Sequence, residues 1–315
     1  MKAPHVTVII PTYNRAESFV RTLHELMESS AVRPDSVIVV DQSQTPDIRD
    51  AIAGQCAKYP NVRYIFIPQP SLTKARNTGI DAATTTDVVI FMDDDVDVRP
   101  DTIATIKKLF TASDLAMIAG INEGEKFIRR NSPLGLFFCR SSHKNRFIGH
   151  VTGAVYGRFP IRMTQPVETR WAMGFFFAVR MSVIRQSQSK FDENLQSYAY
   201  AEDLDFSHRI YLAAKKYGMR CIITPEVVVK HNVSTEYRTP TGKTIYMIIA
   251  HRRYLSHKLF GTRASRMACT WADIGDIFSD IMHLRSPLCR LRALIFTHRQ
   301  KTDIRAGHFH YDEFM

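Results

Sequence analysis

No stretch of the 315 residues approaches the roughly 20 consecutive apolar residues that a membrane-spanning helix needs. The most apolar run, Trp171 to Val179, is too short by half. Cysteine is scarce and scattered. Cys56, Cys139, Cys221, Cys269 and Cys289 form no CxxC pair, which argues against a zinc ribbon and a disulfide framework and leaves isolated reduced thiols as the expectation. Glycine and proline, fourteen of each, are too few for a collagen-like or low-complexity chain. The N-terminal run Val6 to Ile10 stops at Pro11, too short for a signal-peptide core, and no small-residue cleavage site follows it. These absences together predict a cytoplasmic protein.

What is present is a globular composition, 45% hydrophobic and 23% charged, with a formal net charge of +11. That charge alone is compatible with nucleic acid, anionic lipid or a phosphorylated substrate. No helix-turn-helix, zinc or RNA-binding signature accompanies it, and the densest charge cluster is acidic, so no nucleic-acid partner is expected.

Two periodicities alternate through the first hundred residues. Val6–Ile10, Ser36–Val40, Val62–Ile67 and Asp87–Met92 are short, β-branched or continuously apolar, as strands covered on both faces would be. Between them, 16–29 and 71–83 carry apolar residues at helical spacing. Strand-helix alternation predicts βαβ units and a mostly parallel α/β sheet, which binds ligands beyond the carboxyl ends of its strands. The candidate ligand residues stand there: Pro11 to Asn14, Asp41, and Asp93 to Asp95. Further along, Met117–Ile121, Cys221–Thr224 and Val227–Val229 read as strands, 122–166 as loops and short strands, and 182–186 and 203–217 as helices. The chain turns helical from 239 to about 259 and again across 271–296, with a soft boundary near 237.

Phe91-Met-Asp-Asp-Asp-Val-Asp-Val98 places four carboxylates in five positions directly after an apolar strand. Adjacent like charges favour a compensating cation, and Mg²⁺ and Mn²⁺ take such oxygen ligands together with substrate phosphates. In extended chain Asp93 and Asp95 project toward the same cleft. A solvated acidic turn is the plainer alternative.

Val6-Thr-Val-Ile-Ile-Pro-Thr-Tyr-Asn-Arg15, Val37-Ile-Val-Val-Asp41, Lys74-Ala-Arg-Asn-Thr-Gly79 and Phe91-Met-Asp-Asp-Asp95 resemble, in order and spacing, the successive motifs of family 2 glycosyltransferases. The resemblance continues through Phe191-Asp-Glu-Asn-Leu195 and Glu202-Asp203 to His231, about the first 235 residues. It implies a GT-A fold over 1–237, Rossmann-like with a mostly parallel mixed sheet flanked by helices. The nucleotide-sugar half would take about 1–115 and the acceptor half about 116–237, with 238–315 a basic helical C-terminal extension. It also implies an inverting transfer of one sugar from a UDP- or dTDP-linked donor to a hydroxyl of a glycan or lipid-linked saccharide.

Carried over residue by residue, Pro11, Thr12, Tyr13, Asn14 and Arg15 would line the nucleotide pocket. Asp41 would accept a hydrogen bond from the base; a carboxylate can only accept, and a uracil or thymine imide N–H is a suitable donor. Arg76 and Asn77 would complete the nucleotide and sugar side, with Asp94 and Glu202 beside them. Asp93 and Asp95, joined by His231, would hold Mn²⁺ or Mg²⁺ on the diphosphate. Asp203 would be the general base that takes the acceptor proton, and Trp171 and Gly174 would lie beside the donor sugar and acceptor. Two departures stand out. Asp41-Gln-Ser-Gln44 replaces the usual Asp-Asp-Gly-Ser, and Arg252-Arg253-Tyr254 stands where processive synthases carry Gln-x-x-Arg-Trp. The second departure points to transfer of a single sugar.

Residues 251–315 hold eleven Lys and Arg against six Asp and Glu. Arg285, Arg290, Arg292 and Arg299 interleave with Ile281, Leu284, Leu288, Leu291 and Ile295, as in a basic amphipathic helix on an anionic membrane surface. Peripheral contact with the inner face of the cell membrane is the use favoured here; packing on the domain and homo-oligomerisation are the others. The alternative functions are a nucleotidyltransferase of related fold, which would want a Gly-rich basic loop after the first strand, and a basic nucleic-acid-binding protein.

Overall fold

The computed structural model describes residues 3–124, 132–160, 163–196, 199–232 and 241–314. The β-branched runs become the parallel strands β1 (Val6–Thr12), β2 (Ser36–Asp41), β3 (Val62–Phe66) and β4 (Val88–Met92), in the spatial order β3-β2-β1-β4. Alternate residues of one strand serve opposite faces. Val8 and Ile10 pack with α1 (Ala16–His24) and α2 (Pro46–Cys56), whereas Ile9 packs with α3 (Leu72–Ala82). With helices on both sides, neither face of β1 needs polar residues.

β5 (Val96–Val98), α4 (Thr102–Leu109), β6 (Leu115–Asn122) and α5 (Pro133–Phe137) follow, then the two- to five-residue strands β7 (His150–Val151), β8 (Gly157–Arg158), β9 (Val167–Glu168) and β10 (Phe176–Arg180). After α6 (Met181–Ser187) and α7 (Glu202–Lys216), β11 (Arg220–His231) completes a mixed sheet of nine strands among the described residues. β10 inserts antiparallel between β4 and β6, and β11 runs parallel to β6 and antiparallel to β5. This is the α/β GT-A architecture the motifs implied.

Two longer helices, α2 and α4, and the five-residue helices α5 and 301–305 have no counterpart in the periodicity reading. The longer two each bury only two or three side chains, such as Ile52 and Cys56 or Ile103 and Ile106, so the apolar stripe is thin. The helix expected across 271–296 is two: α9 (Arg263–Met282) and α10 (Leu288–Arg299), broken where Leu284 takes φ +54 and Pro287 follows. α11 (Lys301–Arg305) ends the chain's regular structure. No described helix is long and apolar enough to cross a membrane, and all five cysteines are free thiols.

The boundary expected near 237 lies outside the described residues. Beyond it, α8 (Thr241–Leu255) puts Tyr246, Ile249 and Leu255 into one core with Val151, Trp171 and Leu204 of the preceding segment. Arg252 is fully buried there. Its Nε donates to the Ala154 carbonyl (2.9 Å), and its Nη1 donates to Tyr156 (2.8 Å) and Asp273 (3.0 Å).

Gly79 lets α3 approach β1, because a Cβ there would stand 2.4 Å from Cγ2 of Ile9. Gly79→Ala is therefore expected to destabilise the chain by about 1–3 kcal/mol through overpacking. The urea midpoint measures it, and an unchanged midpoint would mean that α3 shifts freely.

Candidate functional site

The parallel register places Thr12 opposite Asp41, so β1 and β2 end at one edge, and β4 beside them delivers the acidic turn to that edge. The three carboxylates of the turn diverge. Asp94 turns inward, accepting from Thr12 Oγ1 (2.7 Å) and Arg15 Nη1 (3.3 Å). Burial pushes its pKa up to about 7 against the pull of Arg15 and Thr12. Asp94 thus ties the β1 loop to the acidic turn.

Asp93 and Asp95 stand toward β11, Asp95 also lying 3.8 Å from Arg15 Nη1, and β5–β11 pairing sets His231 opposite Val96. His231 Nε2 lies 3.1 Å from Asp95 Oδ1, and its ring stacks on Phe175 with centroids 5.2 Å apart. Burial by itself would lower the imidazole pKa; the hydrogen bond and charge of Asp95 outweigh it, so the pKa is raised. One ligand atom from each of Asp93, Asp95 and His231 lies within 4.8 Å of the others. Two hard carboxylate donors and an imidazole fit a divalent ion such as Mn²⁺.

Arg76 joins this cluster to α7. Fully buried on α3, it donates to Asp93 Oδ1 (2.8 Å), Glu202 Oε1 (2.6 Å) and the Gly174 carbonyl (2.9 Å), and lies over the Phe191 ring. Glu202 and Asp203 open α7 after two alanines in left-handed backbone, Ala199 (φ +50) and Ala201 (φ +65). Such strain costs on the order of 1–3 kcal/mol per residue and persists where packing over-determines it. Asp203 Oδ2 accepts the Gly174 N–H and Oδ1 its neighbour's, Leu204, both at 2.7 Å. Burial raises its pKa, partly offset by these two bonds and by Arg76.

A cavity of about 370 Å³ brings together Arg76, Asp93, Trp171, Gly174, Glu202, Asp203 and His231. Its remaining walls include Tyr156, Arg158 and Tyr200, which sequence reasoning missed: they belong to stretches without periodicity or motif. Arg158 is held by Nε donating to the Arg140 carbonyl (2.6 Å), and no described carboxylate pairs with it. Trp171 is a fixed wall, stacked on Phe159 at 4.6 Å and donating to the Arg158 carbonyl.

The rest of the expected nucleotide set lies elsewhere. Pro11 is buried within β1 and Tyr13 is half-buried. Asn14, at φ +53, donates its N–H to Ser43 Oγ and accepts from the Gln44 N–H, so Gln-Ser-Gln locks the β2 loop to the β1 loop. Two of the expected residues are engaged by the protein itself. Asp41 is fully buried, accepting from the Ser43 N–H and the Tyr64 hydroxyl (both 2.8 Å), and so braces the loop. Asn77 donates its amide N–H groups to the Phe191 carbonyl and Glu193 and accepts the Phe191 N–H, anchoring the segment before α7.

Glu202 carries a testable titration. Burial, opposed by Arg76, raises its pKa to about 8, and its Oε2 is buried without a partner among the described residues. A carboxyl with a higher pKa in the native state binds more protons when folded. Its contribution is therefore fully present below the ordinary glutamate pKa and lost as pH rises through the folded value. Relative to Glu202→Gln, the unmodified chain should lose stability between about pH 5 and about pH 8, read from urea midpoints. A pH-independent difference would show Glu202 ionised throughout.

Residues 7–187 match the family described as Glycosyl transferase family 2. A 110-residue stretch is 29% identical to the uncharacterized glycosyltransferase YibD of Escherichia coli (strain K12), covering 35% of this chain and 31% of that one. The fold is similar to that of the mannosyltransferase PcManGT from Pyrobaculum calidifontis in complex with GDP-Man and Mn²⁺. That likeness has a TM-score of 0.56 and 17% identity, over 98% of this chain and 85% of that one. GalNAc-T7 with UDP, GalNAc and Mn²⁺ gives 0.58 and 15%, over 87% and 55%. Residues 1–349 of S. aureus TarS give 0.51 and 16%, over 98% and 88%. The matched segment spans more than half of the chain and holds the β1 loop, Arg76 and the acidic turn, so the chain belongs to glycosyl transferase family 2.

Proposed function

We propose that this glycosyltransferase inverts configuration as it moves one sugar from a nucleotide-diphospho sugar, UDP- or dTDP-linked, to a hydroxyl of a glycan or lipid-linked saccharide, with Asp203 as general base. The observation that carries this reading is the shared cavity: Asp203 lines the same space as Asp93 and His231, with Arg76 spanning from Asp93 to Glu202. PcManGT and GalNAc-T7, whose folds are similar, hold a nucleotide or nucleotide sugar with Mn²⁺.

Asp203 is oriented by two backbone N–H groups, yet each carboxylate oxygen keeps a second lone pair for the acceptor hydroxyl. Its raised pKa makes it a better proton acceptor. As the hydroxyl oxygen forms its bond to the anomeric carbon, the bond from that carbon to the diphosphate breaks and the proton passes to Asp203. A single displacement of this kind inverts the centre. A divalent ion bound by Asp93, Asp95 and His231 would supply Lewis-acid stabilisation of the departing diphosphate. Arg76 holds Asp93 and Glu202 in place, while Tyr156, Arg158 and Tyr200 form the acceptor side of the cavity.

A thermal-shift panel of UDP-, dTDP- and GDP-sugars, with and without Mn²⁺, tests the reading. Ligand at a hundred times its Kd stabilises the native state by about 2.7 kcal/mol. Stabilisation by one nucleotide class, dependent on Mn²⁺, is expected; no response to any donor would overturn the reading.

A further inference from the structure

α9 has two unlike faces. Inward, Cys269, Ala272, Asp273 and Gly275 are buried, and Asp276 accepts from Tyr156 (3.0 Å), a wall of the cavity. Outward, Met267, Trp271, Ile274, Phe278 and Ile281 are exposed at intervals of four and three, which at 3.6 residues per turn makes one stripe. α5 widens it: Phe137, 61% exposed, packs on Trp271 with ring centroids 5.3 Å apart and accepts the indole N–H at its carbonyl. Leu284, 97% exposed, and Leu288, Leu291 and Ile295 of α10 extend the apolar surface. Twelve of the seventeen large apolar side chains exposed among the described residues fall in 134–137 and 267–295. Monomeric soluble proteins rarely concentrate apolar surface in this way.

Charge decides what covers it. All three carboxylates between 263 and 300 point inward or sideways into ion pairs: Asp273 with Arg252 and Arg253, Asp276 with Arg140, Asp280 with Arg290 and Arg285. Arg263, Arg292 and Arg299 are exposed, with no ion pair among the described residues. The surface is therefore apolar with a rim of one sign. A second copy docked stripe to stripe would bring like charges together. An anionic lipid surface complements both the stripe and the rim, and Trp271, with Phe137 and Phe278, suits the headgroup boundary.

We propose that α9, with α5 and α10, docks the protein on an anionic bilayer surface, α9 lying in the interface plane. Docking is independent of the sugar-transfer chemistry. Through Asp276 and Tyr156 it sets the cavity wall one helix away from the lipid.

The full chain is sedimented with vesicles of phosphatidylcholine alone and of phosphatidylcholine with phosphatidylglycerol. Binding to the second kind, about tenfold weaker in high salt and on the first kind, is expected. The double variant Ile274→Ser with Phe278→Ser should reduce binding about tenfold. Arg292→Glu with Arg299→Glu, which alters only exposed charge, should do the same without disturbing circular dichroism or the melting temperature. No binding to phosphatidylglycerol vesicles overturns the proposal. So does a dimer, by light scattering, that either double variant converts to monomer, because the stripe would then belong to a second copy.

Discussion

Asp203→Asn is expected to lower sugar transfer by about 10²- to 10⁴-fold while Mn²⁺-dependent donor affinity stays within twofold or so of the unmodified enzyme. The amide has nearly the same volume but accepts a proton far less readily, so only proton abstraction is lost. Geometry adds a second signature. The carboxylate accepts one N–H at each oxygen, from Gly174 and from Leu204. An asparagine has one oxygen, so one of those donors must face its NH₂ group, at about 1 kcal/mol of stability. A small drop in the urea midpoint, intact donor binding and lost turnover would together assign the base. Full residual transfer would remove Asp203 from that role whatever the stability.

Asp95→Ala should act on the other half of the reaction. It removes one of three clustered ligands, Asp93, Asp95 and His231, and takes away the carboxylate that raises the His231 pKa. Mn²⁺ affinity is expected to fall by at least about tenfold to hundredfold, and with it the Mn²⁺-dependent thermal stabilisation by donor. Asp93 keeps its ion pair with Arg76, so the link from β4 to α7 should survive. Titration calorimetry of Mn²⁺ with the variant measures the effect; an unchanged isotherm would place the ion elsewhere. Comparing the two variants separates donor binding from proton transfer, since each should lose one function and retain the other.

The strands and the residues at their tips were legible in the chain because parallel strands buried on both faces must be continuously apolar. The first polar residues after such runs then mark the ligand edge. Thr12, Asp41 and Asp93 to Asp95 were found in this way. What those residues face was not legible. Asp93 and Asp94 are neighbours of one type, yet Asp93 bonds Arg76 at the cavity whereas Asp94 turns back on Thr12 and Arg15. Asp41 and Asn77 sit in the expected motifs but are enclosed by Tyr64, Ser43, Phe191 and Glu193. A motif records position along the chain, and the direction of a side chain depends on partners tens of residues away. The cavity wall of Tyr156, Arg158 and Tyr200 gave no signal at all, because short loops and two-residue strands carry no period.

The C-terminal helices show the same division from the other side. Apolar and basic residues interleaved across 281–299 suggested one amphipathic helix. The chain instead breaks at Leu284, Arg290 turns inward to Asp280, and the exposed stripe lies mainly on α9 and α5.

The order of residues was sufficient to determine the α/β architecture, the edge of the sheet at which the acidic turn stands, and the family, because these follow from local apolar runs and from short motifs in fixed succession. Tertiary structure alone decided which carboxylates share a cavity, that Arg76 links β4 to α7, and which helical face is left uncovered. Those outcomes depend on burial and pairing between segments distant in the chain, where a side chain's desolvation is compensated only by whatever the fold brings beside it.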